Sequence, residues 1–245
     1  LSMTKYRMGM DAPEWIWFSN YQRLAGNATF WKVMRNTAAF ALMTVIPSMV
    51  LGLCLALLVN REGRHIGFIR TAYFYPSVMP MIAIASIWMF IYMAGNGLFD
   101  QLLIKLGGEA MNVLSDKDKV LPAMAVMYVW REAGYLMVFF LSGLQKVSNT
   151  MYEAAKIDGA NGWVSFWKIT LPMISPMILV NGIYTIIDSF TTESNPVMVY
   201  VQQVYSEYQE MSTAMAWIYF AIVIAIVAVI AAIMSGFVFY QRKND

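Results

Sequence analysis

The chain has 245 residues, of which 59% are apolar and 13% charged, and its mean hydropathy is +0.54. Soluble domains carry about 25% charged residues, so this sequence has too little polar surface to face water on all sides and reads as a membrane protein. A net charge of +2 points to no nucleic-acid partner, a single cysteine (Cys54) rules out an intrachain disulfide, and a single histidine (His65) argues against a haem or His-rich metal site.

Residues 1–35 form an arm. The tract Asp11-Ala-Pro-Glu-Trp-Ile-Trp-Phe is polar and aromatic, which suits a membrane interface rather than a span. Residues 36–245 form the transmembrane part. A hydrocarbon core about 30 Å thick needs roughly 20 mainly apolar residues in a helix. Five stretches meet that need: Asn36–Val59, Ala72–Met93, Val120–Leu144, the short Met173–Ser189, and Met215–Tyr240. Pro47 lies inside the first, Pro76 and Pro80 inside the second, while Pro172 and Pro176 open the fourth. Proline is cheap at a helix start and kinks a helix interior.

Orientation follows from basic residues close to the spans. Arg61, Arg64, Arg70, Lys146, Lys156, Lys168, Arg242 and Lys243 crowd one set of connections. The basic residues of the other set, including Lys5 and Arg23, are spread over about twice the length of chain. The denser set is expected in the cytoplasm, which places the C-terminus inside and residue 1 outside. One further helix before Leu1 would make six spans in a full-length protein. No secretory signal is evident, and the halves do not repeat in the inverted sense common in ion-coupled transporters.

The connection at 148–171 is the most informative. Ser148 is a helix cap for residues up to Ile157, Gly159 is a helix stop, and Asn161 caps a second short helix through Ile169, with Pro172 opening the next span. Two short helices joined at a glycine make a structured elbow, and a connection of this length with its own structure is usually functional. Ala154, Ala155 and Ala160 are small enough to let another surface approach, while Glu153 and Asp158 add negative charge.

The string Tyr152-Glu-Ala-Ala-Lys-Ile-Asp-Gly-Ala, followed by Phe166-Trp-Lys-Ile-Thr-Leu-Pro172, resembles the cytoplasmic signature loop of bacterial ABC importer permeases, in the maltose and glycerol-phosphate branch. The flanks agree: Asn20-Tyr-Gln-Arg-Leu, Tyr75-Pro-Ser-Val-Met-Pro80, Trp130, and Leu141-Ser-Gly-Leu-Gln145. The resemblance covers nearly the whole chain. It implies an all-α, polytopic helical bundle of the type I ABC importer permease kind, with five spans here, in the bacterial plasma (inner) membrane.

The same resemblance implies that Ala154 and Ala155 pack in a cleft of an ATPase and that Gly159 forms the bend between two coupling helices. Glu153 would meet a basic ATPase side chain. Asp158 joins this set, although a solvated helix end would serve equally. The implied partners are a second, different permease subunit, two ATPase subunits, an extracytoplasmic solute-binding protein and the lipid bilayer, with no nucleic acid. ATP and magnesium belong to the ATPase, and no cofactor is expected in this chain. The outer connection Thr191–Glu210 departs from the family pattern in lacking Gly-Gly-Pro, which leaves the solute subclass open.

Ionisable groups inside a span are costly and face protein or water. Arg131 and Glu132, near the centre of the third stretch, are therefore candidates for the solute path. Tyr128, Tyr135, Asn181 and Tyr184 could hydrogen-bond hydroxyl groups, and Trp130 could stack on a sugar face; all five could equally pack helices. Asp188 reads as an outer-end residue reaching the headgroups. The sequence holds no G-x-x-x-x-G-K-[ST] phosphate loop and no His or Cys pairing for nucleophilic chemistry, so no catalytic residue is expected. The contrasting reading is an ion-coupled secondary transporter, which would need internal symmetry.

Overall fold

The structure is a computed structural model that describes residues 1–5 and 12–236. Asp11, the 237–240 end of the fifth stretch, and Arg242 with Lys243 lie outside the described residues. The chain divides into two compact units, Leu1–Leu42 with Ile186–Ile233 and Met43–Thr185 with Met234–Asp245.

The first unit opens on an antiparallel ribbon of β1 (Thr4–Lys5) and β2 (Glu14–Trp15). Next comes α1 (Ser19–Ala25). Buried Asn20 ties α1 to the ribbon by donating from Nδ2 to the carbonyls of Ser2 and Thr4, both at 3.0 Å. Trp15, Trp17 and Phe18 are exposed, as interfacial aromatics are. The first long helix, α2 (Ala28–Val59), starts ahead of the expected Asn36. Asn27 explains the early start: its Oδ1 accepts from the Phe30 amide at 3.1 Å and so caps the helix. A cap outweighs the polarity of Lys32 and Arg35 in fixing where α2 begins.

The connection after residue 191 is not a loop as expected but contains a helix, α11 (Pro196–Tyr205). Asn195, fully buried, accepts from the Val197 amide at 2.9 Å and from the Thr37 hydroxyl at 3.0 Å, and donates to the Ser189 carbonyl at 2.9 Å. Pro196 then takes the first helical position, where its missing N–H costs nothing. Leu24, Phe30, Ala214 and Met215 form the core of this unit. The last helix, α12 (Gln209–Ser235), has only 6% of its most apolar window buried. Trp217, Phe220, Ile224, Val229 and Ile233 stand exposed along it.

In the second unit, the stretch expected as one proline-kinked span over 72–93 is a sharply bent pair of helices. Helix α3 (Ile66–Phe74) runs into a tight turn at Tyr75–Val78, and α4 (Met81–Ile91) leaves at 102° to it. The bend sits at Met79–Pro80. Met79 has ψ 144°, extended, because a residue before proline is pushed out of the helical region. The helical part also starts at Ile66, so Arg70 belongs to α3 rather than to a connection; its Nη2 donates to the Val59 carbonyl at 2.8 Å. A short amphipathic helix, α5 (Leu98–Lys105), follows.

Helix α6 (Val120–Leu144) matches the third expected stretch. It is the most enclosed of the long helices, with 56% of its apolar window buried. Lipid gives helices no hydrophobic reason to associate, so they hold together by close packing. Ala123, Ala125, Ala133, Gly134 and Gly143 along α6 permit that approach. Its C-terminal half joins Leu55, Ala56, Val59 and Ile174 in one apolar cluster.

The elbow consists of α7 (Asn149–Ile157) and α8 (Gly162–Ser165). The second helix does not stop at Ile169 as expected. It passes through a π-helical turn at Phe166–Thr170 into α9 (Leu171–Met173) and bends by 67° at Ile174 into α10 (Ser175–Thr191). Pro172 and Pro176 remove two backbone donors here, so the helix widens and then turns instead of ending. Among the described residues, three unbroken helices can cross a membrane, and five crossings result if each bent pair is one.

Candidate functional site: the elbow and the intramembrane polar residues

The chain builds the elbow with local hydrogen bonds. Ser148 Oγ accepts from the Thr150 amide at 3.3 Å and starts α7. At the other end, the Ala160 amide donates to the Ala155 carbonyl at 2.8 Å and the Gly159 amide to that of Lys156 at 3.1 Å. This pair of bonds is a Schellman stop, which needs a left-handed residue. Gly159 supplies it at φ +81°. Asn161 Oδ1 then accepts from the Val164 amide at 2.9 Å and starts α8.

One contact closes the elbow across 18 residues of sequence. The Tyr152 and Thr170 hydroxyls lie 2.9 Å apart, and Thr170 is buried. Thr170 stands at the end of the π turn that feeds α9 and α10, so the hydroxyl pair links α7 to the membrane-crossing helix. Sequence reasoning missed Thr170, because only the fold brings it to Tyr152.

Glu153, Ala154, Asp158 and Gly159 are exposed, and Ala155 is half-buried. No residue of α7 is buried. Ile157, which sequence reasoning did not single out, is 87% exposed. It lies one turn after the exposed Ala154, so the two form a small apolar face beside Glu153 and Asp158. Trp163 and Trp167 are also exposed and pack edge to face, 5.7 Å between ring centroids. Aromatic rings of this kind favour the membrane–water boundary.

The seven intramembrane candidates fall into separate groups. Tyr135 and Tyr184 stack with centroids 4.8 Å apart. One turn before Tyr184, Asn181 is buried with its Nδ2 unpartnered. Arg131 pairs with Glu132 at 3.3 Å, and its Nη1 also lies 3.7 Å from the Met81 sulfur beside the bend. Glu132 is 1% exposed and Tyr128 0%, so neither is open to a solute in this conformation. Trp130 packs edge to face on Trp88 at 5.8 Å. Asp188, half-buried, lies near the end of α10.

A family model described as "Binding-protein-dependent transport system inner membrane component" matches residues 48–243. The chain belongs to that family. Among its relatives, the probable ABC transporter permease protein YesP of Bacillus subtilis (strain 168) is 28% identical over 266 residues, covering 100% of this chain and 85% of that protein. The polygalacturonan/rhamnogalacturonan transport system permease protein YteP of the same organism is 30% identical over 175 residues, covering 71% of this chain. The match takes in 54% of YteP, about half its length.

The fold also has a solved counterpart. A crystal structure of a bacterial ABC transporter involved in the import of the acidic polysaccharide alginate aligns with a TM-score of 0.81 at 19% identity, covering 90% of this chain and 84% of that one. None of these likenesses supports the ion-coupled alternative. The family segment contains the whole elbow and all seven intramembrane candidates.

Proposed function

We propose that this chain is the solute-conducting subunit of an ATP-driven sugar importer, and that its elbow docks on the ATPase. The observation that carries the proposal is the elbow itself. It is an exposed helix with no buried side chain, locked at Gly159 and tied through Tyr152 and Thr170 to the bent helix entering the membrane. An exposed helix that merely floated would not need that tie.

In this reading the elbow faces the cytoplasm. Ala154 and Ala155, with Ile157 beside them, sit in a cleft of the ATPase. Glu153 pairs with a basic group there, and Asp158 holds negative charge at the rim. When two ATPase subunits close on ATP and magnesium, they move α7. The Tyr152–Thr170 contact carries that motion to α9 and α10, and the solute cavity changes the side it faces. A second, different permease subunit completes the cavity, and an extracytoplasmic binding protein delivers the solute. The names of YteP and of the alginate transporter support a sugar as cargo, and Tyr135, Tyr184 and Asn181 supply ring faces and amide groups that suit one.

Proteoliposomes holding this chain with its co-purified partners test the reading. With binding protein outside and ATP enclosed, uptake of maltotriose or trigalacturonate should persist when the membrane potential is clamped at zero, and should stop without ATP. Uptake that follows the potential and ignores ATP would contradict it.

A further inference from the structure

The first unit contains a second polar site, built from none of the residues of the elbow or of the intramembrane candidates. At the start of α12, Glu210 is only 6% exposed, and its Oε2 is buried without a hydrogen-bond partner. A buried carboxylate oxygen left unpaired is expensive. Glu210 lines a cavity of about 500 Å³, within the range of small-molecule sites.

The walls are built rather than accidental. The Ser212 hydroxyl donates to the Val201 carbonyl at 2.8 Å, fixing the start of α12 against α11. Leu24, Phe30, Ala214 and Met215 form the packed core behind them. Asn27 uses its Oδ1 to cap α2, which leaves its amide N–H groups as donors. Tyr200 and Tyr208 add rings with hydroxyl tips.

Charge decides what class of ligand fits. Among the described residues, Lys5 and Arg23 line the cavity together with Glu207 and Glu210, two cations beside two carboxylates. A balanced wall favours neither a bare cation nor a bare anion. Among the described residues, no group of three metal-ligating acids, histidines or cysteines exists. Donors and acceptors beside aromatic rings match a ligand that carries many hydroxyls on a ring with an apolar face.

We propose that the cavity around Glu210, Asn27 and Tyr208 is an outer sugar subsite, holding a pyranose whose hydroxyls donate to the free Glu210 oxygen. The proposal rests on sugar import as read above and on the same orientation, which puts this end of α12 outside the membrane. It adds a docking place for the cargo before it reaches the intramembrane groups.

The test is direct binding of maltotriose and of trigalacturonate to the complete transporter in lipid nanodiscs, without the binding protein, using E210Q and Y208F. Glu210→Gln keeps the shape and removes the charge. Tyr208 is 45% exposed, so Tyr208→Phe removes one hydroxyl without disturbing the core. Charge-assisted hydrogen bonds are the stronger ones, and E210Q should weaken binding of at least one sugar about tenfold. Y208F should weaken it by less, and both variants should elute as intact complexes. Wild-type affinity in both variants would overturn the subsite, as would failure of both sugars to bind the wild type. Continued ATP-driven uptake in those cases would leave the import reading standing. Absence of ATP-driven uptake in the wild type would defeat the import reading itself.

Discussion

Gly134→Ala should lower the apparent Tm of the solubilised complex by about 5–10 °C, although alanine is the better helix former. Propensity favours alanine over glycine by about 1 kcal/mol inside a helix. Packing opposes it. A Cβ on Gly134 would run into the Tyr73 carbonyl oxygen, lie 2.6 Å from the Tyr73 carbonyl carbon and 3.2 Å from the Phe74 Cα. These are backbone atoms, so no rotamer change relieves the collision. Overpacking usually costs about 1–3 kcal/mol, and a backbone obstacle puts this site at the upper end, so packing wins. Because α3 and its tight turn lie on α6, the damage should spread to the Met79–Pro80 bend. Gly67→Ala is the matched control in α3, where a Cβ meets nothing within 4 Å. It should be neutral or slightly stabilising, and equal Tm losses in the two variants would show that packing is not the cause.

Gly159→Val should leave insertion and thermal stability near wild type while ATPase retention falls about tenfold. At φ +81° a side chain strains the backbone by about 1–2 kcal/mol, roughly a factor of ten in an equilibrium. A Cβ there meets nothing within 4 Å, so the strain is conformational and not a clash. The cheapest relief is to open the stop by breaking the Ala160–Ala155 and Gly159–Lys156 bonds, which swings α7 away from its tie to Thr170. The spans need not change, because no residue of α7 is buried. Quantifying the ATPase that co-purifies with the chain checks this outcome. Gly162→Ala, at a position with free space and no left-handed backbone, should retain the ATPase. Full retention by G159V would separate the elbow's shape from its role.

How much of this could be read from the sequence depended on the range of the interactions involved. The elbow was legible because its determinants are local. Ser148, Gly159 and Asn161 each act within four residues, and all three do what their chemistry suggests. Helix α6 was legible for the same reason, being one unbroken apolar run. The two bent pairs were not. Pro80 and Pro176 announce a disturbance, but whether a helix kinks, breaks by 102° or widens into a π turn depends on what packs against it. Helix α11 was missed because its signal, Asn195-Pro196, also marks turns, and the buried Thr37 that settles the matter lies 158 residues away.

The site residues divide along the same line. Residue type placed Tyr135, Tyr184 and Asn181 among the candidates, and the fold brings the first two into ring contact. Residue type could not separate Trp130, which packs on Trp88, or show that Tyr128 and Glu132 are enclosed. Glu210 looked like the end of an outer connection. Only burial marks it as a carboxylate with an unmet acceptor.

The docking of the elbow on a motor subunit is tested most directly by crosslinking. With Cys54, the only native cysteine, replaced by serine, Ala154→Cys places one thiol on the exposed face of α7. Benzophenone maleimide, attached to that thiol through its maleimide and then photoactivated to insert into a nearby C–H bond in membranes holding the complete transporter, should join this chain to the ATPase, with a yield that changes when ATP is added. A yield no higher than that of the cysteine-free chain, with and without nucleotide, would contradict the account.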